Sequence, residues 1–235
     1  MIFSYPGLVC ATSGKPYNMS LTLGQTQGAL LNRKVFLDGL GIEYRDLVCA
    51  KQVHGDCIRW AGEPDKGKGA LEHDTALDDT DALLTDKRNL PLAIFTADCL
   101  PIFLFDPQRP AVGLVHAGRR GTEQEITPKA IRLMQDKFNS RPGELFVGFG
   151  PAIRDCCYEV GVDLKDNFNY GLKMKDSRYY LDIILINKKQ VLESGVKPNH
   201  ISDCGICTSC RQDEFFSYRR HGAACGRMIS VIMLR

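Results

Sequence analysis

The amino-acid sequence predicts a mixed α/β (α+β) fold. Short, strongly apolar segments of strand length recur along the 235 residues, and fewer segments show the spacing of an amphipathic helix. Asp106-Pro107 and Gly150-Pro151 each end an apolar run, as turns after strands commonly do. No internal repeat, low-complexity block or linker divides the sequence, so we expect residues 1–235 to form a single domain.

The first half of the chain is predicted to contain a helix, a loop and a long strand. The helix should end near Gly41, because helical spacing relates Leu30, Leu31, Lys34, Leu37 and Leu40. The segment from Ala61 to Asp81 is rich in Gly, Asp, Glu and Lys, which is typical of a surface loop. Residues 90–105 are nearly continuously apolar and predict a buried strand, which is interrupted by Asp98, Cys99 and Pro101.

A second strand and a helix follow. Ala111 to Val115 predicts a strand that delivers His116 at its C-terminal end. The helix has two candidate starts: Thr122–Glu125 fits a capping box, whereas Thr127 fits a cap with Pro128 at the first helical position. We favour the later start, because the earlier one places the proline too deep in the helix. The residues expected to face inward are Ile131, Met134 and Phe138.

Three further segments complete the predicted elements. Leu145 to Phe149 predicts a strand, and Tyr179 to Ile186 predicts a strand that passes into a helix through Gln190 and Leu192. Met228 to Leu234 alternates poorly but is strongly apolar, so we expect a buried terminal strand.

Composition is that of an ordinary soluble globular protein. The chain is 44% hydrophobic and 25% charged, and its formal charge of +2 does not favour a nucleic-acid or membrane partner. No apolar run approaches the roughly 18 residues that span a bilayer. Residues 1–7 lack the features of a signal peptide, so we interpret the ten cysteines as reduced thiols and predict a cytoplasmic protein.

Two imidazoles and one thiol stand out as candidate metal ligands. His54 precedes a glycine, Cys99 interrupts an apolar run, and His116 lies at a predicted strand end before Ala-Gly. Two nitrogens and one sulfur are three of the four donors of tetrahedral zinc, and a catalytic site leaves the fourth position open. Imidazole and thiolate also bind copper. If these residues converge, the chain is an open-site metalloenzyme.

Other polar residues are candidates for the same site. Asp98 should point away from Cys99, because neighbouring extended side chains alternate, so we assign it to an orienting or proton-transfer role. The planar guanidinium group of arginine can donate two hydrogen bonds at once to a phosphate group. The candidates for binding substrate or phosphate are Gln52, Arg120, Arg219 and Arg220.

A second group of cysteines has the spacing of a metal or cluster motif. It consists of Cys204, Cys207 and Cys210, with Cys225 further on. C-x-x-C spacing suits structural zinc or an iron–sulfur cluster, but no second C-x-x-C pair matches it. We therefore interpret these residues as thiols in a tight turn. His73 and His200 are interpreted as surface residues, and His221 as a weak site candidate.

A series of motifs in order along nearly the whole chain resembles the YfiH-like family. This family is also called the laccase-domain or multicopper polyphenol oxidase family, and it is described as zinc-dependent purine nucleoside phosphorylase. The motifs are Ser20–Gly24, Asn32-Arg33, Lys51–Gly55, Asp81–Thr85, Thr96–Pro101, His116–Gly118, Gly150–Ile153, Tyr158–Gly161, Cys207-Thr208, Phe216–Arg220 and Gly226–Met228.

The resemblance implies a four-layer sandwich of two β-sheets flanked by helices. It also implies that His54, Cys99 and His116 occupy the metal-ligand positions. The implied activities are phosphorolysis of adenosine, inosine and methylthioadenosine, and hydrolytic deamination of adenosine. In deamination, Asp98 or Asp81 would move protons.

The chain departs from the family pattern in three places. Arg119 stands where the family usually has Trp, Thr22 stands where Asn is usual, and Ala11–Gly14 lacks the typical Arg and paired glycines. A cation thus replaces a flat apolar wall. Because the three ligands are intact, these changes bear on substrate choice and rate more than on metal binding.

Three other functions compete with this one. Copper-dependent phenol oxidation needs several coppers held by many histidines, and the chain has five. A cysteine hydrolase would use Cys99 as nucleophile and His116 as base. In a metal-stabilised binding module, exchanging Cys99 for Ala would harm folding more than turnover.

Overall fold

Two β-sheets stacked face to face form the centre of the molecule, which a computed structural model describes for residues 5–235. The described strands are β1 (Leu8–Thr12), β2 (Val48–Cys49), β3 (Ile58–Trp60), β4 (Ala82–Thr85), β5 (Leu92–Thr96), β6 (Leu100–Asp106), β7 (Ala111–Ala117), β8 (Phe146–Phe149), β9 (Glu159–Val160), β10 (Leu172–Lys175), β11 (Arg178–Leu181), β12 (Ile201–Asp203) and β13 (Met228–Leu234). The described α-helices are α1 (Thr26–Asp38), α2 (Arg119–Glu123), α3 (Ile126–Phe138), α4 (Ile183–Glu193) and α5 (Tyr218–His221).

The strand order separates a four-stranded sheet from a six-stranded sheet. The first has the order β1-β13-β5-β2, and the second has the order β12-β8-β6-β7-β4-β3. A small three-stranded sheet, β10-β11-β9, lies apart from both. Most neighbouring strands are antiparallel, but β2 pairs with β5, β3 with β4, and β12 with β8 in parallel.

Alternating side chains divide the core into three apolar layers. In β5, Leu92 and Ile94 point between the two large sheets, whereas Ala93 packs on the side that carries Leu37 of α1. In β6, Phe103 also points between the sheets, whereas Ile102 packs with residues of α3 and α4. The order of layers is therefore helix, sheet, sheet, helices, which confirms the expected four-layer mixed α/β sandwich.

The terminal strand is confirmed with the predicted bounds, Met228–Leu234. β13 lies between β1 and β5, and all of its residues are buried. Ile232 faces the other large sheet and Val231 faces α1, so both faces of the strand need apolar residues. This double burial explains why the segment does not alternate between apolar and polar residues.

The single strand predicted over residues 90–105 is wrong. The apolar run contains β5 and β6, which belong to different sheets, and residues 97–99 form the link between them. A run of apolar residues does not reveal such a change of sheet, because both strands are buried on both faces. The interruption noted at Asp98 and Cys99 marks this link.

Helix starts and ends differ from the prediction by a few residues. α3 begins at Ile126, after Glu125 in the left-handed region at φ 58°. Pro128 therefore lies in the first turn, where its missing N–H removes no helical hydrogen bond. Thr127 does not cap the helix; its hydroxyl donates to the Asn187 side chain at 2.9 Å. Of the residues expected to face inward, two are fully buried and the third is partly buried: Ile131, Met134 and Phe138.

Two other segments also need correction. α1 ends at Asp38, and Gly41 supplies a left-handed turn at φ 65° afterwards. The segment Ala61–Asp81 lacks strands, as predicted for a loop, but it is not wholly a surface segment, since Ala61, Ala70 and Asp81 are fully buried. Among residues 5–235, no helix combines the length and apolar character needed to cross a bilayer.

Candidate functional site

Strand pairing brings the candidate residues together at one end of the six-stranded sheet. In the antiparallel pair β6–β7, Pro101 lies opposite His116, so Cys99 is close to the end of β7. On the other side of β7, the main-chain N–H of His116 donates to the Asp81 carbonyl at 2.7 Å. Two neighbouring strands thus place Cys99 and Asp81 on either side of His116.

His54, Cys99 and His116 converge as candidate metal ligands. One donor atom from each lies within 4.8 Å of the other two, so a single divalent ion could contact all three. The two imidazole rings meet edge to face, with centroids 4.9 Å apart. His116 is buried, Cys99 is half-buried, and His54 is exposed. The three donors therefore open towards solvent on the His54 side.

Asp81 fixes two of the three donors. Its carboxylate accepts from His116 Nδ1 at 2.7 Å, and from the main-chain N–H groups of Val53, His54 and Gly55 at 3.2, 3.0 and 2.8 Å. Because Nδ1 must donate to this carboxylate, Nε2 is the ring nitrogen that is left to face a metal ion. The fully buried carboxylate therefore orients His116 and holds the backbone that carries His54.

The surroundings of Cys99 favour a thiolate. Burial alone would raise the pKa of Cys99, but His116 and His54 outweigh it and lower this pKa to about 6. Burial would lower the pKa of His116, but Cys99 and Asp81 outweigh it and raise this pKa to about 9. Without a cation, these shifts favour a thiolate at Cys99 and an imidazolium at His116. The sulfur is already in the state that binds metal.

One donor residue, His54, and the neighbour of another, Asp98, adopt the left-handed region. His54 has φ 61° and Asp98 has φ 87°. The Asp98 carboxylate accepts from the Thr208 hydroxyl at 2.6 Å, the Ser217 hydroxyl at 3.0 Å and the main-chain N–H of Arg219 at 2.7 Å. These hydrogen bonds stabilise a backbone conformation that non-glycine residues seldom adopt.

The donors lie in a cavity of about 630 Å³, within the size range of small-molecule sites. Five arginines line the cavity: Arg33, Arg119, Arg120, Arg219 and Arg227. Its aromatic residues include Phe95, Tyr158 and Tyr218. A cationic and aromatic lining of this kind suits a ligand that combines a flat ring with an anion.

Of the four residues predicted to bind substrate or phosphate, three line the cavity and one does not. Gln52 lines the cavity, but its side-chain amide exchanges two hydrogen bonds with the Phe95 main chain, at 2.9 and 2.7 Å. Arg120 and Arg219 line the cavity. Arg220 is outside the described lining, and its Nε donates to the Ser209 carbonyl at 3.0 Å.

Several lining residues were not singled out as site residues from the sequence. Tyr158 is half-buried, and burial raises its pKa to about 12, so its phenol is neutral at physiological pH. Arg33 is buried, donates to three main-chain carbonyls, and stacks over Phe95 at 4.5 Å. Arg227 also lines the cavity. His73, interpreted as a surface residue, is exposed and lies at the edge of the cavity.

Gly118 leaves space for the donors. A Cβ atom at this position would lie 3.2 Å from Cys99 Sγ and 3.3 Å from His54 Cδ2. Because metal ligation tolerates displacements of only about 0.2 Å, we expect Gly118→Ala to weaken Zn²⁺ binding about tenfold. Competition against a chelating dye would measure the change.

Gly28 in α1 is the matched control. No atom lies within 4 Å of a Cβ added there, so Gly28→Ala should keep the parental Zn²⁺ affinity. It should also stabilise the helix by about 0.5–1 kcal/mol. Unchanged Zn²⁺ affinity in Gly118→Ala would show that the three donors do not act on one ion.

The fold and the donor set define this molecule as a four-layer α/β sandwich with a metal-capable cavity at the end of its larger sheet. Residues 9–235 match the family described as multi-copper polyphenol oxidoreductase laccase, and the chain belongs to this family.

Known proteins of similar sequence and structure agree with this assignment. The purine nucleoside phosphorylase YlmD of Geobacillus stearothermophilus is 35% identical over 225 residues, which are 92% of this chain and 82% of the relative. The crystal structure of YlmD from that organism superposes with a TM-score of 0.94 at 33% identity, covering 98% of this chain and 93% of the other. The adenosine deaminase RL5 of an unknown prokaryotic organism is 29% identical over 202 residues, which are 82% of this chain and 77% of the relative.

Proposed function

We propose that this chain is a purine nucleoside phosphorylase that acts on adenosine, inosine and methylthioadenosine. The observation that carries the proposal is the convergence of two imidazoles and one thiolate in a cavity lined by arginine and aromatic side chains. The names of its relatives support the reaction class, since YlmD of Geobacillus stearothermophilus is a purine nucleoside phosphorylase.

Zinc is the metal that best fits the donor set. His54, Cys99 and His116 supply two nitrogens and a sulfur, the donor types of tetrahedral zinc, and they leave one position for an exogenous oxygen. Zinc bound there would act as a Lewis acid towards a phosphate or water oxygen. Copper accepts the same donors. Multicopper oxidation, however, needs clusters of histidines, and the described residues bring only His54 and His116 together with a thiol.

The arginines of the cavity would bind phosphate and place it near C1′ of the nucleoside. Arg120 is exposed at the start of α2, and Arg219 is held by its main-chain bond to Asp98. Arg119 pairs with Glu123 at 3.6 Å, so its charge is partly compensated. Phosphorolysis breaks the bond between C1′ and the purine, an oxygen of HPO₄²⁻ bonds to C1′, and the phosphate proton ends on the departing purine. The arginines therefore orient a dianion that must approach a cationic carbon.

Aromatic side chains would hold the purine. Phe95 and Tyr158 line the cavity, and Arg219 lies over the Tyr158 ring at 5.5 Å. A neutral phenol at Tyr158 can stack on a purine and donate a hydrogen bond, because its pKa is raised to about 12 by burial. In our proposal, Asp98 is a positioning residue, since three donors already occupy its carboxylate.

The test is a phosphate-dependent assay on zinc-loaded protein with adenosine and inosine. We expect free purine and ribose 1-phosphate to form only when phosphate is present, because phosphate is the nucleophile. His116→Ala is the matched control, and its rate should be at least about a hundredfold lower. Product that does not exceed this control would refute the proposed function.

Adenosine deamination is a second candidate, favoured by the relative named adenosine deaminase RL5. The same assay mixture without phosphate distinguishes it, because deamination releases ammonia and leaves inosine intact. Asp81 and Asp98 are both engaged by several donors, so neither carboxylate is free to move a proton without losing a hydrogen bond. We therefore rank deamination below phosphorolysis.

A further inference from the structure

Four cysteines from two loops meet on the side of the molecule next to the cavity. Cys156 and Cys157 lie in the turn before β9, and Cys207 and Cys210 lie in the loop after β12. One sulfur from each lies within 4.8 Å of the other three. The sulfur of Cys210 is 3.5 Å from that of Cys156 and 3.4 Å from that of Cys157.

These separations match a tetrahedral metal site. Zinc–sulfur bonds of about 2.3 Å place the sulfurs of a tetrahedron about 3.8 Å apart. A disulfide would bring two sulfurs to about 2.05 Å and leave the others unpaired. An iron–sulfur cluster attaches cysteines to separate iron atoms, so it needs its four sulfurs more widely spaced.

The surroundings also favour a bound cation. Main-chain N–H groups of Cys210 and Arg154 face the Cys207 sulfur. Hydrogen bonds of this kind orient the ligands of a metal ion.

We propose that Cys156, Cys157, Cys207 and Cys210 bind one structural zinc ion, separate from the ion held by His54, Cys99 and His116. Each thiol loses its proton on binding, and four sulfurs fill the coordination sphere, so this ion has no open position for substrate. Its role is to join the two loops.

Joining these loops stabilises one wall of the cavity. Ala152 and Cys207 pair as an isolated parallel bridge, and the main-chain N–H of Thr208 donates to the Ala152 carbonyl at 3.0 Å. The Thr208 side chain donates to Asp98, and Ile153 N–H donates to the Asp98 carbonyl at 2.9 Å. Both loops therefore contact the residue beside Cys99.

The C-x-x-C spacing in the sequence reveals only two of the four cysteines of this cluster. The loop after β12 contains the expected C-x-x-C pair, but its partner is the adjacent pair Cys156-Cys157 rather than a second C-x-x-C. Cys204 and Cys225, which belong to the cysteine group in sequence, are not members of the cluster. The interpretation of Cys207 and Cys210 as simple turn thiols is therefore replaced by this proposal.

The experiment counts zinc per chain by elemental analysis after purification under reducing conditions. We expect two zinc ions in the parent protein and one in both Cys210→Ser and Cys156→Ser. These two sulfurs are the exposed members of the cluster, so their replacement disturbs the core least. Cys204→Ser lies in the same loop outside the cluster and should retain two ions.

Cobalt(II) substitution in a Cys99→Ala background gives a second readout that does not depend on activity. The remaining ion should show the charge-transfer and ligand-field absorption of a tetrahedral tetrathiolate, and Cys210→Ser should remove it. A zinc count in Cys210→Ser equal to that of the parent chain would overturn the proposal. Because neither readout uses nucleoside turnover, failure here is distinguishable from failure of the proposed phosphorylase.

Discussion

Replacement of Cys99 by alanine is expected to lower kcat/KM for phosphorolysis by roughly a thousandfold and to leave the fold in place. Cys99 supplies the only sulfur among the three donors, and its thiolate is stabilised by His116 and His54. Two imidazoles alone bind zinc much more weakly than the full set. The change in rate would be measured by steady-state kinetics, and the fold by circular dichroism.

Cys57 offers the matched control for Cys99. It is an exposed free thiol three positions after His54, and it lies outside both described groups of metal-capable residues. Cys57→Ala should therefore keep the parental rate and zinc content. If Cys99→Ala unfolds the protein but its folded fraction still turns over nucleoside, the metal serves stability alone.

The same variant separates the cysteine hydrolase from the metalloenzyme. A nucleophilic Cys99 would lose activity on replacement, but it would keep activity when a chelator removes the metal from the parent protein. A metal ligand should lose activity in both experiments. Activity that survives chelation and disappears in Cys99→Ala would therefore contradict a metal-dependent mechanism.

Asp81→Asn is expected to weaken zinc binding by about 10- to 100-fold and to destabilise the protein by roughly 2–4 kcal/mol. The carboxylate accepts from His116 Nδ1 and from the N–H groups of Val53, His54 and Gly55. An amide has one accepting oxygen, and its NH₂ group would face donors at a fully buried position. Affinity would be measured by chelator competition, and stability by denaturant unfolding of the metal-free protein.

Asp78→Asn controls for loss of a nearby carboxylate. Asp78 is exposed and pairs with Lys51 at 2.7 Å, so its replacement should change stability by less than about 1 kcal/mol. Zinc affinity should stay at the parental value. Equal effects of Asp78→Asn and Asp81→Asn would mean that general charge, rather than the bond to His116, governs the site.

Many of the buried strands can be predicted from the sequence, because long apolar segments are typical of such strands. β13 and β7 are wholly buried strands, and their continuous apolar runs are what such strands require. The passage from β5 to β6 could not be predicted, because a change of sheet leaves no mark in an apolar run. Residues 97–99 interrupt the run, but the interruption alone does not say where the next strand pairs.

The candidate site was only partly predictable for a similar reason. The sequence alone marks three residues as candidate ligands, because each stands beside small residues or interrupts an otherwise regular pattern: His54, Cys99 and His116. The role of Asp81 depends on strand pairing, since β4 must lie beside β7 before the carboxylate reaches His116. Tyr158 begins the Tyr158–Gly161 motif, but nothing in the residue itself places its side chain in the cavity, because an aromatic residue beside cysteines is usual in a packed core.

The link at residues 97–99 lies where one large sheet gives way to the other. Cys99 belongs to this link, and the segment bearing His54 is held to β5 through Gln52 and to the residue before β4 through Asp81. The three ligands therefore come together only in a chain whose two sheets are joined. An ion that needs all three would bind this joined state in preference to the unfolded chain, and so would stabilise the stacking of the sheets.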